Sequence, residues 1–142
     1  MTVDIILGGK GEDVITISPE TSVADTAKLL SEKRIGAVVV CDSAGGIKGI
    51  VSERDIVRGI CQHGVGVMDK AVEAIMTAQV HTCTGSHSVI EVMEMMTGRR
   101  IRHIPVVEDG RLRGIISIGD VVKKRIADAE HEAQALRDYI TT

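Results

Sequence analysis

One phrase is written twice in this chain. Gly49-Ile50-Val51-Ser52-Glu53-Arg54-Asp55 returns as Gly114-Ile115-Ile116-Ser117-Ile118-Gly119-Asp120. The match extends upstream. At an offset of 66 residues, Val14 and Thr16 fall on Val80 and Thr82, Ser22-Val23 on Ser88-Val89, Arg34-Ile35 on Arg100-Ile101, and Val40 on Val106. One residue is then lost in a turn, and the repeated phrase aligns at 65. A duplication on this scale restricts the chain to two copies of one supersecondary unit, each too small to bury its apolar face alone.

Each copy reads as the same string of elements. A short strand (residues 14–17, and 80–83) precedes a helix opened by a capping box, Ser22 with Asp25 and Ser88 with Glu91. The apolar faces expected for these helices are Val23, Ala27 and Leu30 in one copy and Val89, Met93 and Met96 in the other. Two β-rich runs around a glycine-containing turn follow, the hairpin signal being strongest at Asp109-Gly110. A second helix starts at the repeated serine. The fold class is therefore α/β in the broad sense (α+β), two β-α-β-β-α units packed on each other. The first unit with its N-terminal segment occupies residues 1–68, and the second with a C-terminal helix occupies 69–142. Residues 1–7 read as a short helix leading into unit one, and residues 69–77 as the segment that plays that part for unit two. The last helix, from Gly119 to about Tyr139, carries Val122, Ile126, Ala129, Ala133, Leu136 and Ile140 at alternating spacings of four and three. That stripe suits either a partner helix, on a second chain for instance, or this chain's own core.

Composition narrows the function. Without Trp or Phe, and with one Tyr, the core must be aliphatic, and the stacking platforms of single-strand nucleic-acid binders are missing. A net charge of −3 gives no general attraction to nucleic acid or anionic lipid. No stretch is long and apolar enough to span a membrane, and residues 1–13 lack the basic start of a signal peptide. Cys41, Cys61 and Cys83 are few and far apart, which points to a reducing, cytoplasmic location. His81, Cys83 and His87 lack the second close-spaced pair of a structural zinc site, so no metal is expected. No serine or cysteine is paired with a base at motif spacing, and no catalytic role is expected.

The repeated Ser-x-x-Asp has two readings. It can be a helix cap and nothing more, as Ser22 and Ser88 are. It can also be a ligand site. Gly49 and Gly114 stand in the strand three positions before the serines, where glycine weakens packing unless something must come close. Each serine marks a strand end and helix start, whose N–H groups favour an anion. The aspartate is a good acceptor for the paired hydroxyls of a ribose. A nucleotide satisfies all three, with its base held between aliphatic side chains and its edge read by backbone groups. Arg54 and Arg58 in the first copy, and Arg102 or His103 within the basic run Arg99–Arg113, are candidates for neutralising its phosphate.

On these motifs the chain resembles a tandem pair of CBS domains, a Bateman module, over residues 14–126. The resemblance implies sheets packed about a pseudo-twofold axis and two related clefts binding adenine nucleotides: AMP, ADP, ATP, S-adenosylmethionine or NAD. It also implies pairing into flat homodimers. Carried over to this sequence, it assigns the ribose to Asp55 and Asp120 and the phosphate side to Ser52 and Ser117. It assigns the base to backbone around Ile15-Thr16, His81-Thr82, Ala37-Val38 and His103-Ile104-Pro105. The second copy departs from the first at Ile118-Gly119, against Glu53-Arg54, and at Lys123, against Arg58. The sites therefore need not share ligand or affinity. The expected function is a stand-alone, non-catalytic sensor of AMP, ATP or NAD(H), needing no cofactor and read by an effector protein. The alternatives are a constitutive dimerisation scaffold with vestigial clefts, or a thiol or metal sensor.

Overall fold

Backbone hydrogen bonding in the computed structural model, which describes residues 1–11 and 13–141, divides the chain into ten main elements. They are α1 (Val3–Lys10), β1 (Thr16–Ile17), α2 (Val23–Lys33), β2 (Ala37–Cys41), β3 (Ile47–Ser52), α3 (Glu53–His63), α4 (Val89–Arg99), β4 (His103–Glu108), β5 (Arg111–Ser117) and α5 (Ile118–Thr141). Two short 3-10 turns, Val65–Asp69 and Val72–Ala74, lie between α3 and α4. The fold is the expected mixture of helix and strand.

The helix starts are where the serines put them. Ser22 Oγ accepts from Asp25 N–H, and Ser88 Oγ from Glu91 N–H, both at 3.0 Å. The buried faces are Val23, Thr26, Leu30 and Val89, Val92, Met96. The second expected position holds in the first helix, where half-buried Ala27 packs against the cluster, and is corrected in the second, where Met93 is 36% exposed because the helix turns the i, i+3, i+7 stripe inward. Thr26 is tolerated there because its hydroxyl donates to Ser22 O at 2.8 Å.

The hairpins form as read. β2 pairs antiparallel with β3, and β4 with β5, each with a register shift at the same relative place, Val40/Cys41 and Val106/Val107. The second hairpin closes through Asp109 (φ 50) and Gly110 (φ 74), the two left-handed residues of a type I′ turn. The leading strands are shorter than expected. β1 keeps two residues, parallel to β2, and its counterpart is reduced to one bridge between Cys83 and Val106.

Ile104 and Val106 point into one apolar cluster, Val38 and Val40 into another. Their alternates Ala37 and Val39, on the opposite face of β2, are 5% and 0% exposed, so that sheet is covered on both sides. The lead-in segments pack crosswise. Val3, Ile6 and Leu7 of α1 join the cluster built from α4, β4 and β5. Met68, Val72, Ile75 and Met76 join the one built from α2, β2 and β3. Equivalent hydrogen bonds fix both crossings. Val3 N–H donates to His87 O and Val89 N–H to Met1 O, while Val72 N–H donates to Thr21 O and Val23 N–H to Lys70 O.

Candidate functional site

The two repeated serines each cap a helix, and both boxes are complete. Ser52 N–H donates to Asp55 Oδ2 (2.8 Å) and Asp55 N–H to Ser52 Oγ (3.4 Å). Ser117 N–H donates to Asp120 Oδ2 (2.9 Å) and Asp120 N–H to Ser117 Oγ (3.1 Å). Capping is thus a real role of both motifs. Each box also opens onto a cavity between the units.

The first cavity, about 190 Å³, brings together Ser52, Arg54, Asp55, Arg58, His81, Arg102 and His103 of the residues singled out from sequence. Gly36, Ile50, Glu53, Thr77, Gln79, Val80, Arg100 and Ile101 complete its lining. The second, about 450 Å³, brings together Ile15, Ala37, Val38, Arg102, His103, Ser117 and Asp120 with Lys10, Asp13, Val14, Arg34, Ile35, Gly36, Val39, Ile115, Ile118 and Gly119. The second lies within the volume range of small-molecule sites, about 300–1,000 Å³, and the first falls below it. Arg102, His103 and Gly36 border both. Gly36 is what admits the imidazole, since a Cβ there would stand 3.0 Å from His103 Nε2.

Four sequence candidates line neither cavity. Thr16 is an exposed residue of β1, and its repeat counterpart Thr82 is exposed as well. Ile104 is fully buried in its own unit's cluster, and the Pro105 carbonyl is spent on Cys83 N–H at 3.0 Å. Strand alternation turns Ile104 away from the face that His103 presents to the cavities.

The two aspartates differ in what is left over for a ligand. Asp55 is 6% exposed. Its Oδ2 accepts from Ser52 N–H and Ser52 Oγ (3.0 Å), and its Oδ1 from Thr77 Oγ1 (2.9 Å) and Arg58 (3.5 Å). All four acceptor positions are filled. Asp120 Oδ2 takes Ser117 N–H and Lys10 Nζ (2.6 Å), and Oδ1 takes no hydrogen bond from the described residues. Burial pushes the Asp120 carboxyl up, but the Lys10 ammonium and Ser117 N–H outweigh it and hold it below the usual value. Lys10 also donates to Ile115 O at 2.7 Å. Burial, with the Lys10 ammonium behind it, pushes the His103 imidazole down against the opposing pull of Glu53 and Asp120. The sequence reading missed Thr77 and Lys10. Both lie outside the repeat match, and neither has a motif to mark it.

The remaining candidates separate. His81 lines the first cavity 3.4 Å from Arg99, His87 Nδ1 accepts from Thr84 N–H, and Cys83 is in the core, where burial pushes its thiol up to about 11. A thiol so buried is a poor nucleophile at neutral pH. The basic run is largely a surface feature, with Arg113 paired to Asp4 at 2.8 Å.

A sequence model of the CBS domain matches residues 11–61 and again residues 72–127. The chain belongs to the CBS-domain family. A CBS-domain containing protein from Agrobacterium tumefaciens superposes with a TM-score of 0.86 at 45% identity, over 88% of this chain and 99% of that one. The CBS domain pair of protein MJ0100, solved with 5-methylthioadenosine and S-adenosyl-L-methionine, superposes with a TM-score of 0.81 at 28% identity, over 90% and 98% of the two chains. The mitochondrial CBS domain-containing protein CBSX3 of Arabidopsis thaliana is 33% identical over 147 residues, 98% of this chain and 71% of its own length. Among the described residues of this CBS pair, no helix is long and apolar enough to cross a membrane.

Proposed function

We propose that this CBS pair is a cytoplasmic, non-catalytic regulatory module that binds an adenine nucleotide (AMP, ATP or NAD(H)) at the seam between its units. The observation that carries this is the unfilled Oδ1 of Asp120 at the edge of the larger cavity. A carboxylate oxygen with open lone pairs, beside a helix start and aliphatic strand residues, suits the diol of a ribose. The domain pair that binds 5-methylthioadenosine and S-adenosyl-L-methionine supports the adenosine class. The second cavity is the principal site in this reading. At the first, a diol must displace Thr77 or Arg58 from Asp55. Ligand bridging the two units stabilises one angle between them, and the size of the switch equals the difference in affinity for the two shapes. The homodimer presents that angle to an effector protein.

Calorimetric titration of the full chain with AMP, ATP, NADH and S-adenosylmethionine tests the reading. Saturable binding is expected. Asp120→Ala should weaken it by about 1.5–3 kcal/mol, the range for a hydrogen bond to a charged group, and Asp55→Ala by less. A folded protein that takes up none of the four at millimolar concentration overturns it in favour of a dimerisation scaffold, and an Asp120→Ala variant that binds as the parent does overturns the second cavity as the principal site.

A further inference from the structure

Gly11 (φ 97, ψ 164) and Gly64 (φ 80, ψ 176) end α1 and α3 in extended positive-φ backbone open mainly to glycine, whereas α2 and α4 each end in the left-handed helical conformation on an arginine: Arg34 (φ 54, ψ 46) and Arg100 (φ 54, ψ 44). The left-handed conformation disfavours any side chain with a Cβ, and glycine is the usual residue there. A helix C-terminus favours a nearby cation, yet Lys33 and Arg99 already supply one in each last turn. The two arginines occupy equivalent positions in the repeat, so the same exception is made twice.

Their placement is crosswise. Arg34, from the first unit, lines the cavity that holds the second unit's Asp120. Arg100, from the second unit, lines the cavity that holds the first unit's Asp55. Both side chains are exposed, and neither is ion-paired among the described residues, whereas Arg58 is paired with Asp55 and Arg113 with Asp4. A strained backbone position retained at a cavity rim is the kind of outlier from which a functional role is inferred.

We infer that Arg34 and Arg100 are phosphate-binding residues that reach across the seam, each gripping the phosphate tail of a nucleotide whose ribose is held by the other unit's aspartate. This rests on the nucleotide reading above and adds the ligand class: polyanionic tails are selected over neutral or cationic ones such as a sulfonium. A planar guanidinium offers paired donors to phosphate oxygens. A ligand held at both ends by different units also couples tail length to the angle between them.

The test uses the full chain, its Arg34→Gly and Arg100→Gly variants and the double variant. Each is titrated with adenosine, ATP, S-adenosylmethionine and inorganic tripolyphosphate, and melted without ligand. Glycine relieves the backbone strain, so melting temperatures equal to or above the parent's are expected, which separates lost binding from lost folding. The preference for ATP over adenosine should fall by roughly ten- to a hundredfold in the variant whose cavity is occupied, the size of one lost charge-assisted contact. An unchanged ATP-to-adenosine ratio in the double variant overturns the assignment while leaving the nucleotide reading intact. If the parent binds tripolyphosphate but no nucleoside compound, the nucleotide reading fails, and loss of tripolyphosphate binding in the double variant still supports the arginines. A parent that binds neither ATP nor tripolyphosphate overturns the assignment of the arginines, and one that also takes up none of AMP, NADH and S-adenosylmethionine overturns the nucleotide reading as well.

Discussion

Gly49 and Gly114 stand three residues before the repeated serines, and the sequence offered them as evidence that a ligand comes close. Something does come close, but it is the chain itself. A Cβ at Gly49 would lie 2.6 Å from Met76 Sδ and 2.9 Å from the Thr77 carbonyl oxygen. At Gly114 it would lie 2.7 Å from Leu7 Cδ2. Both glycines make room for a crossing lead-in segment. Thr77 is locked to Ile50 by two backbone hydrogen bonds of 3.0 and 2.9 Å, so it cannot retreat, whereas the end of Leu7 can rotate. Gly49→Ala should therefore destabilise the fold by about 1–3 kcal/mol, the usual penalty for overpacking, and Gly114→Ala by less. Urea unfolding of the two variants reads the order directly, and a reversed order would contradict this account. The same residues show how far the candidate site was legible. Ser52, Asp55, Ser117 and Asp120 were marked by repetition. Which aspartate has an open oxygen was not, because Thr77 and Lys10 reach them from 22 and 110 residues away. Nor was the left-handed backbone at Arg34 and Arg100 visible, since glycine would have been the only warning.

At the scale of elements, the hairpins, capped helices and their order followed from local rules, and the short helix expected near the N-terminus is α1. What local rules could not reveal is where α1 packs. A lead-in segment carries an apolar face but no record of which unit it covers, and adjacency in sequence favours the wrong one. In the structure α1 closes the second unit's core, and the 3-10 turns close the first's. Leu7 is 1% exposed within that borrowed core. Leu7→Ala should thus cost about 2–4 kcal/mol by leaving a cavity, although the residue precedes the whole of the first unit. In hydrogen exchange, the early loss of protection should fall on β4, β5 and α4, not on β2 and β3. Loss confined to the first unit would show that the crossing does not carry the energy assigned to it.

At the scale of the molecule, α5 is the element whose length its own chain does not explain. It has 24 residues, about 36 Å at 1.5 Å per residue, yet its buried side chain is Val121 in the first turn. Val122, Ile126, Leu136 and Ile140 are 48%, 54%, 60% and 73% exposed, and Ala129 and Ala133 are exposed with them. The alternative that this stripe covers the chain's own core is thereby removed. Side-chain links such as Lys124–Asp128 at 3.3 Å and Gln134–Asp138 at 2.8 Å are worth only a few tenths of a kcal/mol each. An unsupported helix end is marginal in water, since tertiary packing supplies most helical stability. A stripe spaced four and three along one face is the pattern that packs against another helix, and the proposed homodimer supplies one. Replacing Ile126 and Leu136 together by Glu tests this cleanly, because both are more than half exposed and glutamate is a good helix former. Sedimentation equilibrium should show the parent as a dimer and the double variant as a monomer that keeps the parent's circular dichroism below its melting transition. A variant that remains dimeric would place the contact elsewhere on the surface, and a parent that is monomeric at high micromolar concentration would remove the homodimer from the proposed mechanism.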